Sequence, residues 1–194
     1  MLRETIRLVR ADVDDGCLEI RVERSGRPCL VGRPEIGLSL AHTRGLAVAA
    51  VSSTGPVGID VEPIRRRGVP AVGAWLTTQE QRALAALPPA DRDERLLHLW
   101  VGKEAALKAH HGVEPVGRLD IEVSGGWRGS DLDGVPSVAP RSAGHVVEAA
   151  PDAAVIGEGA AHVGWQTGPS TSERAQRALL WYLVGGRFLV AVAS

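Results

Sequence analysis

The sequence predicts an α+β fold of two pseudo-duplicated halves, each an antiparallel sheet packed with helices. Three observations carry this expectation. Short runs of alternating apolar and polar residues flank a central block with helical periodicity. The chain closes on a hairpin signal, Trp181-Tyr-Leu-Val184, Gly185-Gly186 and Phe188-Leu-Val-Ala-Val-Ala193. Two small-aliphatic runs, Gly45-Leu-Ala-Val-Ala-Ala-Val and Gly186-Arg-Phe-Leu-Val-Ala-Val-Ala, echo each other at the ends of the two parts. The expected boundary divides an N-terminal half, 1–56, from a C-terminal half, 57–194.

The elements follow in order. Leu2, Ile6 and Val9, with charged residues between them, read as a short amphipathic helix. Leu18, Ile20 and Val22 alternate with charges as a half-buried strand does. Ser25-Gly26-Arg27-Pro28 is a turn. Ile36-Gly-Leu-Ser-Leu and Leu46-Ala-Val-Ala-Ala-Val are two further strands, with Ala41-His42-Thr43 in the loop between them. Gly55-Pro56 turns the chain into a strand over Val57-Gly-Ile-Asp-Val-Glu62. Thr77-Thr-Gln-Glu80 has the spacing of a capping box and opens an Ala/Leu-rich helix ending at Pro88. Asp91 and Glu94 offer a second start, for a longer helix running to about His110 and stopped by Gly112. Leu119-Asp-Ile-Glu-Val returns to strand alternation. The stretches 128–144 and 149–172, rich in small residues, Gly and Pro, read as loops.

Composition excludes several classes. Over 194 residues, 22 Lys and Arg face 23 Asp and Glu, a net charge of −1. A dedicated nucleic-acid binder carries a basic excess that is missing here. The apolar content of 44% is enough for a core. No apolar run approaches the roughly 18 residues of a membrane span. The N-terminus is charged and lacks the apolar segment of a signal peptide. Only Cys17 and Cys29 are present, so a disulfide framework is not expected and a cytoplasmic location is. Neither HExxH nor CxxC occurs, which leaves the common zinc patterns unsupported.

The chemistry sits in two places. Asp60 and Glu62 are two apart in a strand, so both carboxylates point to one side. Gly58 leaves room for close approach on that side. Two carboxylates on one face repel unless a cation or a proton joins them, and Mg²⁺ is the hard cation that suits them. Taken alone, two solvated charges at a strand end are the plainer reading. Glu104 and Lys108 are four apart on the longer helix and share a face. As an isolated pair they too would be a surface contact. Lys103 and Glu104 follow Trp100 closely, however, and a third carboxylate with flanking ammonium groups is what phosphoryl transfer uses. The Arg65-Arg66-Arg67 run is either a solvated loop or a steering patch for an acidic partner.

Gly58-Ile-Asp60-Val-Glu62 followed by Trp100-Val-Gly-Lys103-Glu104-Ala-Ala-Leu-Lys108 resembles the paired signature of 4′-phosphopantetheinyl transferases. Gly26-Arg27-Pro28, Ser39-Leu-Ala-His42-Thr43 and Trp75-Leu-Thr-Thr-Gln-Glu80 resemble further motifs of the surfactin-type (Sfp-like) branch. The resemblance implies transfer of phosphopantetheine from coenzyme A to a serine of an apo acyl or peptidyl carrier protein, with 3′,5′-ADP as the other product. It implies that Asp60, Glu62 and Glu104 hold Mg²⁺, with Mn²⁺ a substitute. Glu104 would help deprotonate the serine, and Lys108 would bind the pyrophosphate and assist the leaving group. Lys103 would add positive charge. His42, with Thr43 beside it, would contact phosphate, and Arg27 and Pro28 would flank the adenine. A monomer is the family expectation. Val101 after the motif tryptophan and Ala41 before the motif histidine depart from the usual pattern. Only 25 residues precede Gly26, fewer than in the branch, so a shortened N-terminal half is expected. The alternative is a non-catalytic relative that binds coenzyme A or a carrier protein.

Overall fold

A computed structural model describes residues 18–53, 55–64, 74–110, 117–124, 145–148, 155–165, 176–184 and 188–193. Strands β1 (Ile20–Val22) and β2 (Pro28–Leu30) form an antiparallel hairpin. Its turn places Gly26 at φ 85°, a conformation that glycine adopts without a Cβ penalty. Strands β3 (Gly37–Thr43) and β4 (Leu46–Ser52) pair antiparallel across a tight turn, and β7 (His145–Glu148) adds to the far side of β4. A second, five-stranded sheet runs in the order β5 (Gly58–Pro63), β10 (Phe188–Ala193), β9 (Gln176–Val184), β8 (Val155–Trp165) and β6 (Ile121–Ser124). Helices α1 (Thr78–Ala85) and α2 (Pro89–Ala109) lie between β5 and β6 in the chain. Antiparallel sheets with a separate helical block make this an α+β fold.

The alternation along β5 and β10 sets both faces of the second sheet. Leu189, Ala191 and Ala193 turn toward α2 and pack with Leu96, Leu99, Ala105 and Ala109. Val190 and Val192, with Ile59 and Val61, turn the other way onto Val48 and Ala50 of β4. Burying a valine or isoleucine in such a layer contributes about 1.5–3 kcal/mol. Small residues on the helix side let α2 approach the sheet closely. Gly58 is the closest point: a Cβ there would lie 1.9 Å from the Ala105 carbonyl oxygen and 2.4 Å from the Ala109 nitrogen. The β1–β2 hairpin joins through Leu30, which packs with Ile36, Leu38 and Val51.

The Thr77–Glu80 capping box forms as its spacing predicts. The Thr77 N–H donates to Glu80 Oε2 at 2.8 Å, and the Glu80 N–H donates to Thr77 Oγ1 at 3.2 Å. The longer helix starts earlier than expected. Pro88 is its cap and Pro89 its first residue, so the fixed proline φ begins the helix and no Asp91–Glu94 box is used. His42 and Thr43 belong to β3, not to a loop, because the two-residue turn Arg44-Gly45 is short enough to extend the ladder to Thr43↔Leu46. The loop expected over 149–172 contains β8. Its glycines and alanines hide the strand pattern, and pairing with β9 on one side and β6 on the other supplies the strand its order. The closing hairpin forms with Phe188 opposite Val184, while its Gly185-Gly186 turn lies outside the described residues. The helix expected near Leu2–Val9, Gly112, Arg65–Arg67 and Cys17 also lie outside them.

Candidate active site

The site begins at the close contact between β5 and α2. Strand alternation turns Gly58, Asp60 and Glu62 toward the helix, since Ile59 and Val61 take the opposite face. Glycine at 58 lets the helix backbone come down on the strand, and this brings one turn of α2 over Asp60. Lys108 Nζ donates to Asp60 Oδ1 at 2.7 Å and to the Ile59 carbonyl at 3.0 Å. Asp60 keeps only 13% of its side chain exposed. Burial raises its pKa above the ordinary 3.8, the Lys108 ammonium pulls it back, and the charges of Glu104 and Glu62 push it up. Glu62 and Glu104 thus both lie within electrostatic reach of Asp60.

Glu104 stands one turn before Lys108 on the same helix face. Its Oε1 accepts from Arg118 Nε at 2.5 Å. Arg118 follows α2 in the chain, in the short 3₁₀ turn Arg118–Asp120 that enters β6. Its guanidinium lies over the Trp100 ring, 4.8 Å from the centroid, and Trp100 in turn meets Trp75 edge-on at 5.3 Å. The sequence singles out Trp100 but not Arg118. One arginine outside both motifs carries no local signal, and only the return of the chain along β6 brings it to Glu104.

Lys103 is a correction to the expected site. Its side chain is 0% exposed and forms an ion pair with Glu80 at 2.7 Å. Its ammonium also donates to the carbonyls of Arg118 at 2.8 Å and Ile121 at 2.7 Å. Burial lowers its pKa, and the Glu80 hydrogen bond and charge oppose that shift. A lysine with these three acceptors has no ammonium to offer a coenzyme. It points instead to the Glu80 hub, where Oε1 also accepts from the Val123 N–H at 2.9 Å. Lys103 and Glu80 thereby tie α1, α2 and β6 together.

Among the described residues, no group of three His, Cys, Asp or Glu side chains is arranged to hold a metal ion. Basic side chains pair with two of the three carboxylates, Lys108 with Asp60 and Arg118 with Glu104. The donor set itself suits a hard cation. It consists of carboxylate oxygens alone, and the mutual repulsion seen at Asp60 is what a divalent ion relieves.

The remaining residues lie to either side. Ser39 Oγ accepts from the Ile59 N–H at 3.0 Å, and Gly37 lies against Gly55 and Val57, so β3 runs alongside β5 in the same direction. The β3–β4 turn reaches the Phe188 end of β10, which pairs with Pro63. His42 is exposed in the last part of β3, at the Glu62 end of β5. Arg27 and Pro28 lie on the β1–β2 hairpin rather than on the β5–α2 face. The Arg27 guanidinium donates to Glu23 at 3.0 Å.

Residues 56–130 match the family model of the 4′-phosphopantetheinyl transferase superfamily. That segment holds β5, both helices and β6, and so Asp60, Glu62, Glu80, Lys103, Glu104, Lys108 and Arg118. The chain is similar to a 4′-phosphopantetheinyl transferase of Bacillus subtilis, 26% identical over 108 residues, covering 56% of this chain and 48% of the relative. It is 30% identical over 118 residues to 4′-phosphopantetheinyl transferase HetI of Nostoc sp. (strain PCC 7120), covering 58% and 50%. It is 30% identical over 86 residues to 4′-phosphopantetheinyl transferase psf-1 of Bacillus pumilus, covering 44% and 36%. The chain spans about half the length of the curated relatives it matches. No helix among the described residues is long and apolar enough to cross a membrane.

Proposed function

We propose that this chain is a phosphopantetheinyl transferase of the surfactin-type branch, with an N-terminal half (1–56) and the chemistry in its C-terminal half (57–194). The observation that carries the reading is the Asp60–Lys108 contact beside Glu104, inside the segment that matches the superfamily. The substrates are coenzyme A and an apo acyl or peptidyl carrier protein, and the products are holo carrier protein and 3′,5′-ADP. The chain acts as a cytoplasmic monomer, without nucleic acid or membrane.

The residues divide the work by their chemistry. Asp60, Glu62 and Glu104 would hold Mg²⁺ or Mn²⁺, which neutralises pyrophosphate charge when bound. Lys108 leaves Asp60 for a pyrophosphate oxygen and stabilises the departing 3′,5′-ADP. The carrier serine oxygen bonds to the β-phosphorus as the bond from that phosphorus to the bridging oxygen breaks. The serine proton passes to the Glu104 carboxylate, directly or through a water. His42 and Thr43 contact phosphate from the first half, and Arg27 and Pro28 flank the adenine. Lys103 acts only through the Glu80 hub.

The test is intact mass spectrometry of an apo carrier protein incubated with the chain, coenzyme A and Mg²⁺. A phosphopantetheine mass gain is expected, absent for Glu104→Gln and for Asp60→Ala. Equal turnover in Glu104→Gln would refute the assignment. Tight coenzyme A binding with no mass gain on any carrier type would identify a non-catalytic binder instead.

A further inference from the structure

We propose that Arg118 is a latch on Glu104, competing with a divalent cation for that carboxylate and so lowering the metal affinity of the site. The inference deepens the proposed function and rests on its metal-dependent reading. The geometry is specific. Arg118 Nε donates to Glu104 Oε1 while the guanidinium plane lies over Trp100. Its backbone is pinned independently, because the buried Lys103 ammonium donates to the Arg118 carbonyl at 2.8 Å. Trp75 meets Trp100 edge-on. The guanidinium is therefore delivered to Glu104 already ordered, its planar fork aimed at the carboxylate.

Exposure makes this contact one that opens. Arg118 is 40% exposed and Glu104 20%, whereas the Lys103–Glu80 pair is buried at 0% and 3%. Separating a buried pair strands a charge, but a half-exposed guanidinium returns to water at small cost. A divalent cation approaching Glu104 displaces only the guanidinium. The turn that carries Arg118 stays tied to Lys103. Asp60 has a comparable occupant in Lys108, but Lys108 belongs to the proposed machinery, and Arg118 belongs to neither sequence motif.

The experiment is a Mn²⁺ titration of the full chain, with free Mn²⁺ read by electron paramagnetic resonance. It compares the wild type with Arg118→Gln, Arg118→Lys and Asp60→Asn. Arg118→Gln is expected to bind Mn²⁺ roughly fivefold more tightly, the scale of a partly exposed ion pair. Arg118→Lys, which keeps the charge but loses the planar fork, should fall between the two. Asp60→Asn should weaken binding. Unchanged or weaker affinity in both Arg118 variants, with the Asp60 effect intact, would overturn the latch and leave the metal site standing. Absence of any Asp60-dependent Mn²⁺ binding would overturn the metal reading and the latch with it.

Discussion

Replacing Gly58 by alanine tests the geometry on which the site depends. The new Cβ would lie 1.9 Å from the Ala105 carbonyl oxygen and 2.4 Å from the Ala109 nitrogen, where ordinary contact begins near 3.4 Å. Both obstacles are helix backbone, so no side-chain rotation relieves them. The helix must retreat by about 1.5 Å, or the strand must bend away by as much. Overpacking of this kind costs about 1–3 kcal/mol, and more when only backbone can move. Loss of glycine freedom in the unfolded chain returns about 0.4–1 kcal/mol. The expected net destabilisation is about 2 kcal/mol, read from urea unfolding at pH 7. The same retreat would stretch the Lys108–Asp60 contact from 2.7 Å beyond hydrogen-bond reach. Carrier modification should therefore fall at least tenfold even under conditions where the variant is folded. A Gly58→Ala protein within about 0.5 kcal/mol of the wild type would refute the close approach of α2 to β5.

Two other perturbations separate scaffold from site. Lys103→Met removes one partner of a buried ion pair and two further hydrogen bonds to carbonyls, and should cost about 3–5 kcal/mol in urea unfolding, with part recovered in the Glu80→Gln double variant. A stable Lys103→Met protein with weakened coenzyme A affinity would return Lys103 to the ligand residues. His98 Nδ1 donates to the Glu94 carbonyl, and burial lowers its pKa from 6.5 to about 4. Between those values the unfolded chain binds the proton and the folded chain does not, so this group's contribution to stability is full above pH 6.5 and falls as the pH drops toward 4. The loss reaches up to about 3 kcal/mol, and His98→Gln should flatten that part of the stability–pH curve.

Much of the fold was legible because the relevant signals are local. The Thr77-x-x-Glu80 spacing prescribes a capping box whatever surrounds it, and the box forms. Alternation in Gly58–Glu62 places Asp60 and Glu62 on one face before any partner is known, and Gly58 announces that something approaches there. The helical spacing of Glu104 and Lys108 is equally self-contained. Where composition masks the period, legibility ended. β8 is rich in glycine and alanine, and its strand character comes from two neighbours far along the chain. His42 reads as a loop residue from the sequence, yet the hairpin turn beyond it is only two residues long and the ladder continues through it.

The sequence by itself determined the order of most elements, the shared face of Asp60 and Glu62, the shared face of Glu104 and Lys108, and the resemblance they carry together. Each of these follows from a repeat of two or of nearly four residues, which neighbouring positions set by their own geometry. Only the tertiary structure decided where the cations go. Lys103 and Lys108 lie five apart on one helix, yet one is sealed against Glu80 and the other reaches Asp60. Arg118 reaches Glu104 only because β6 returns past α2. An ion pair forms where packing brings two charges within a few ångströms and excludes water, and no local spacing contains that distance.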